Sequence, residues 1–186
     1  MLFENLLANQ TITTNRNENK PMPTNTTILS KVPDFIWATV NVGIFRTMDD
    51  IEYALSQLPI IRSWDKSLPF MSQSFKTLDL VTIRPCLFEG EKKRMSRLEI
   101  CQLGVSLGLQ ECPQEVGPQL LIQGKAPGGY EEVNIASTEP LGSRKDVYLV
   151  VGNRGTAGLG CYVEDEKGFD THTLWAFVKP RKQERQ

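Results

Sequence analysis

The chain has 186 residues, 40% hydrophobic and 23% charged, with a formal net charge of −1. That is a one-domain length with enough apolar side chains for a core, and its charge balance gives no general attraction to phosphate backbones or anionic membranes. No apolar run approaches the roughly 18 residues that span a bilayer, and the opening Met1–Ala8 carries Glu4 and no basic residue, so neither an anchor nor a secretory signal is read.

Residues 9 to 31 are rich in Asn, Thr and Pro. They offer little apolar area to offset the entropy of ordering. Residues 1–34 therefore read as a flexible N-terminal tail, 35–182 as a single α+β domain and 183–186 as a C-terminal tail. The first strand is expected from Ile36 to Val42, which is β-branched and aromatic and ends at Gly43. Thr47 and Asp50 have capping-box spacing, and Ile51, Ala54, Leu55 and Leu58 follow as one helical stripe that Pro59 stops. Ser63 is placed to cap a short helical turn through Leu68.

Leu78 to Ile83 reads as a buried strand closed by Arg84-Pro85, followed by a charged loop over 88–97. Ser96 and Glu99 repeat the capping-box spacing and open a second helix. Its expected stripe is Leu98, Cys101 and Val105, with Leu107 alongside and Gly108 as the stop. Pro113 suits the first turn of a short third helix around Gln114 to Val116. Strands are expected over Leu120–Gln123, Tyr130–Ser137, Val147–Val151, Leu159–Val163 and Leu174–Val178, with Gly and Pro turns between them. The expected fold is α+β: a mainly antiparallel sheet of about five to seven strands, with two main helices and one or two short helical turns on one face.

Candidate chemistry is sparse. Cys86, Cys101, Cys112 and Cys161 lack the close-paired spacing of a zinc site and read as buried free thiols in a reducing compartment. His172 is the single histidine. Two-histidine metal motifs are therefore excluded, and any Cys–His or Ser–His nucleophilic pair must use it. It sits beside Asp170 in a hairpin turn, where an exposed turn histidine is the plainer interpretation. Arg84, Lys92, Lys93, Arg94 and Arg97 surround one loop, and Lys179, Arg181, Lys182 and Arg185 end the chain. Converging, they would hold phosphates; separately, they are solvated charges, the preferred view. The Asn153–Gly160 stretch is glycine-rich but joins two strands, which does not make a phosphate cradle.

At Trp37 to Asp50, Ser63-Trp64-Asp65, Leu78 to Val81 and above all Leu107 to Leu120 (LGLQECPQEVGPQL), the chain resembles a large family of small uncharacterised bacterial proteins, frequent in candidate-phyla genomes. The hallmark of that family reads roughly LGLxLCPAEVGPQLRLQY. The closing Leu174 to Lys182 (LWAFVKPRK) is similar to the family's aromatic final strand. The resemblance covers about Ile36 to Lys182 and implies one domain and a bacterial origin, with no activity attached. The chain departs from the pattern at Leu121 and Gly124, where the family has Arg and Tyr, at Ala126 to Val133, and at Ser63, where it has an acid.

Two binding candidates follow. Glu115 and Gln119 either project into a cleft, with Glu115 as acid/base or ligand, or sit in a corner that Pro113, Gly117 and Pro118 specify, with Glu115 meeting exposed helix amides. Trp64 and Asp65 are either a recognition pair or, for the ring, core. No catalytic residue, metal ligand or cofactor is assigned. The expected function is a cytoplasmic, non-enzymatic binding or regulatory module recognising a protein or small ligand; nucleic acid is not favoured and a membrane is not expected. The alternative is a small, toxin-like hydrolase or transferase acting on nucleic acid or nucleotides, using Glu115 with an arginine. An enzyme should gather Glu115, Asp65 or His172 with an arginine in one concave pocket. A module should scatter them and expose an apolar patch or a sheet edge.

Overall fold

Apolar side chains at consecutive positions of the central strands decide the architecture. A computed structural model describes residues 34–59, 61–63, 74–90, 92–128, 131–139, 147–153, 157–164 and 166–181. The expected tails therefore lie outside the described residues, apart from Asp34. The elements run β1 (Ala38–Val42), α1 (Met48–Ser56), β2 (Ile61–Ser63), β3 (Lys76–Ile83), α2 (Cys86–Glu89), β4 (Arg94–Met95), α3 (Arg97–Ser106), α4 (Val116–Ile122), β5 (Glu132–Ile135), β6 (Val147–Asn153), β7 (Ala157–Val163), β8 (Phe169–Asp170) and β9 (Leu174–Lys179).

The fold is α+β. Seven strands form one sheet in the order β1-β3-β9-β5-β6-β7-β2, and β4 pairs with β8 in a separate two-stranded ribbon. Pairing in the large sheet is antiparallel except at β5–β9 and β2–β7. Where β5 leaves β9, Gln110 takes its place and exchanges two 2.9 Å backbone bonds with Val178.

The helices divide between the two faces, which corrects the expectation of one covered face. Ala176 and Val178 of β9 pack with Ile51 and Leu55 of α1 and with Val116 and Leu120 of α4. Trp175 and Phe177 pack with Ile100 and Cys101 of α3. Alternate residues of a strand point to opposite faces, so α1 and α4 cover one side and α3 the other. Leu80-Val81 in β3 and Ala176-Phe177 in β9 are unbroken apolar pairs, as strands buried on both faces require.

Both capping boxes form. Thr47 Oγ1 accepts from the Asp50 amide at 3.2 Å while Asp50 Oδ2 accepts from the Thr47 amide at 3.0 Å. Ser96 and Glu99 make the same exchange at 3.3 and 2.8 Å. The buried face of α3 is not the expected stripe, however. Leu98 and Val105 are 55% and 54% exposed, and Arg97, Ile100, Cys101 and Gly104 face inward. The missing side chain of Gly104 explains the rotation, because a Cβ there would lie 2.1 Å from Cε1 of the fully buried Phe177. The helix turns its glycine, not its aliphatic stripe, toward the ring and approaches closely.

One further expectation is corrected. Leu120 to Gln123 is not a strand: Leu120–Ile122 is the end of α4, and the Gln123 amide closes it onto the Gln119 carbonyl at 3.0 Å. Ser63 ends β2, in parallel register with Gly160 of β7, and the helical turn expected after it lies outside the described residues. Within the loop expected over 88–97, the chain forms the end of α2 and β4. Among the described residues, no helix is long and apolar enough to cross a membrane.

Candidate functional site

Glu115 and Gln119 are brought together, but inside the protein. Glu115 is 1% exposed and Gln119 0%. Spacing of four along α4 stacks Glu115, Gln119 and Gln123 on the helix side that meets β1. Both carboxylate oxygens of Glu115 accept from the Gly43 amide at 2.9 Å, and Oε1 also accepts from Gln119 Nε2 at 2.8 Å. Gln119 Oε1 accepts from Gln123 Nε2 at 2.7 Å. Gln123 then grips the backbone of Asn41, donating to its carbonyl at 2.7 Å and accepting from its amide at 3.1 Å. Asn41 Oδ1 takes the hydroxyl of Thr77 at 2.8 Å. The result is a polar ladder that bonds α4 to β1 within an otherwise apolar layer. Satisfied networks of this kind hold one arrangement because an unpaired buried polar group costs so much. Gly43 has φ +71°, and a Cβ there would lie 2.3 Å from the Ser74 carbonyl oxygen, so the top rung of the ladder depends on glycine.

Trp64 and Asp65 lie outside the described residues. His172 is exposed, on the turn between β8 and β9, and its Nδ1 lies 3.4 Å from the sulfur of the half-buried Cys86. The turn is braced. The His172 amide donates to Asp170 Oδ1 at 2.8 Å, the Cys86 amide donates to the Thr171 carbonyl at 2.9 Å, and Arg84 Nη1 donates to the His172 carbonyl. Buried Thr171 donates its hydroxyl to the Lys92 carbonyl at 2.8 Å. Cys86 and His172 are 86 residues apart. Only the adjacency of β3 and β9 brings them together, and no local pattern announces it. Cys101 and Cys112 are buried thiols, as expected; burial pushes the Cys101 thiol up to about 12 and raises that of Cys112 as well.

The other end of the β4–β8 ribbon borders an open cleft of about 420 Å³. Its lining includes Arg94, Met95, Glu99, Glu164, Glu166 and Lys167. Some of these charges are fixed in place. Arg94 Nη1 donates to the Gly168 carbonyl at 2.8 Å. Lys92 holds Glu99 at 2.7 Å, and this bond, with those from Ser96, lowers the Glu99 carboxyl to about 2. Arg97, 6% exposed, donates its amide to Glu164 Oε1 at 2.8 Å. The cleft thus offers both signs of charge over an apolar Met95 floor.

Among the described residues, the basic side chains do not form one free patch. Besides Lys92, Arg181 makes a bidentate pair with Asp79 at 2.7 and 3.0 Å, and Lys179 reaches Asp34 at 3.1 Å. Among the described residues, no group of three or more His, Cys, Asp or Glu side chains is placed to hold a metal ion. No family model, curated protein or solved structure matches the chain.

Proposed function

We propose that the protein is a non-enzymatic binding or regulatory module, cytoplasmic and of bacterial origin, whose partner is a small ligand or a protein segment seated in the cleft beside the β4–β8 ribbon. One observation carries this: the carboxylate of the central motif is spent inside the fold. Glu115 is 1% exposed and its oxygens bond Gly43 and Gln119, so the signature segment serves as framework. Three things support the cleft as the recognition surface. Its volume is within the range of small-molecule sites, roughly 300–1,000 Å³. It carries both signs of charge. Several of its side chains are already held in position, which lowers the ordering cost of binding. The paired state of Lys92, Lys179 and Arg181 weighs against nucleic acid. The alternative hydrolase or transferase needs Glu115 accessible beside an arginine.

Titrating isotopically labelled protein with amino acids, dipeptides, nucleotides and inorganic phosphate, with amide shifts as the readout, tests this. Shifts should fall on residues 94–99 and 164–168 and vanish in Glu166→Ala. Turnover of any of these compounds that is lost in Glu115→Gln would establish the enzyme instead.

A further inference from the structure

We propose that Cys86 is a nucleophilic thiol activated by His172, and that it forms mixed disulfides with low-molecular-weight disulfides. The inference is independent of the cleft. It starts from a contrast among the three described thiols. Cys101 is buried, and Cys112, also buried, donates its thiol to the Ala176 carbonyl at 3.3 Å. Desolvation keeps both protonated. Cys86 alone of the three reaches the surface, and its sulfur faces an imidazole nitrogen at 3.4 Å.

The pair is built rather than incidental. Each partner is tied to the other's segment: the Cys86 amide to the Thr171 carbonyl, and the Arg84 side chain to the His172 carbonyl. Asp170 and Thr173 hold the turn from within: the His172 amide donates to Asp170 Oδ1 at 2.8 Å, and the Thr173 hydroxyl donates to the Asp170 carbonyl at 2.7 Å. Thr173 Oγ1 also accepts from the buried Trp175 ring nitrogen at 2.9 Å, which anchors the turn to the core. The segments that carry the thiol and its base are therefore tied together by hydrogen bonds, with His172 exposed and Cys86 half-buried.

The chemistry balances without further reagents. His172 Nδ1 takes the thiol proton as Cys86 sulfur attacks one sulfur of the disulfide. The incoming S–S bond breaks and a Cys86 mixed disulfide forms. The departing thiolate receives the proton from the imidazolium. Cys86 is oxidised, and the disulfide is the oxidant.

Oxidised glutathione is a suitable probe, with initial rates followed by intact mass and the modified residue found by peptide mapping across all four cysteines. Cys86 should react first, and Cys86→Ser should remove the fast phase. His172→Ala should slow modification about tenfold or more, at unchanged circular dichroism, since a positioned base contributes at least that much. Added imidazole should restore part of the rate in His172→Ala, a rescue that a purely structural role for His172 would not give. Equal rates in the native protein and His172→Ala, absence of rescue, or a fast phase at another cysteine would overturn the proposal.

Discussion

The α4–β1 ladder and the β4–β8 ribbon use the same kinds of side chain to opposite ends. In the ladder, a buried carboxylate and two amides, one buried and one half-buried, lie between a helix and an edge strand and hydrogen-bond to each other and to backbone. In the ribbon, carboxylates, basic groups, a thiol and an imidazole stand at the surface, held from behind but open in front. Residue type alone does not separate framework from chemistry. What separates them is whether bonding capacity is spent within the fold, and burial decides that. The cysteines repeat the lesson, with Cys101 and Cys112 in the core and Cys86 beside His172.

The largest effect should come from breaking the ladder at its glycine. Gly43→Ala places a Cβ 2.3 Å from a backbone carbonyl oxygen at a residue with φ +71°. A loss of about 3 kcal/mol or more is expected in denaturant unfolding. On the opposite face, Gly104→Ala forces α3 away from Phe177 and should cost about 1–3 kcal/mol. A thermal melt indistinguishable from native would contradict the close approach of that helix.

At the ribbon, effects on stability shrink. Ser96→Ala removes one half of a capping box and should cost about 1 kcal/mol. The other half titrates. The folded Glu99 carboxyl lies at about 2, below its ordinary 4.5, chiefly through the hydrogen bond from Lys92 and then those from Ser96. Its stabilising contribution is therefore complete above about pH 4.5 and lost as pH falls toward about 2. Glu99 is well exposed, so added salt should shrink that acid-dependent loss. Glu166→Ala, exposed on the cleft rim, should change stability by less than about 0.5 kcal/mol while abolishing cleft binding. A large stability loss there would erase the contrast between the two regions.

Much of the frame was legible. Both capping boxes, the stop at Gly108 and most strands follow from short-range spacing, because caps and turns are local chemistry. The class was legible too, since helices first and hairpins second leave few alternatives. Two differences between pattern and structure share one cause, which is that at both places the polar or absent side chains, and not the apolar ones, set the packing. Leu120-Leu121-Ile122 looks like a buried strand, yet Glu115, Gln119 and Gln123 recur every four residues, a helical period among polar side chains that marked α4. On α3, Leu98 and Val105 outweighed Gly104, although the absent side chain set the packing. The division of helices between two faces was readable in the continuous apolar runs of β3 and β9. The Cys86–His172 pair was not readable, because a contact made where adjacent strands far apart in sequence end leaves no trace in either local sequence.

The central claim is that Glu115 belongs to the framework, and Glu115→Gln tests it most directly. The substitution keeps the shape but removes the charge and sets an NH₂ where the Gly43 amide requires an acceptor. Unfolding of native and variant protein should differ by about 1–3 kcal/mol, the cost of weakening a buried charge-assisted bond. Amide shifts on adding a cleft ligand should remain the same in both. Unchanged stability with lost binding would contradict the account and return Glu115 to the functional site.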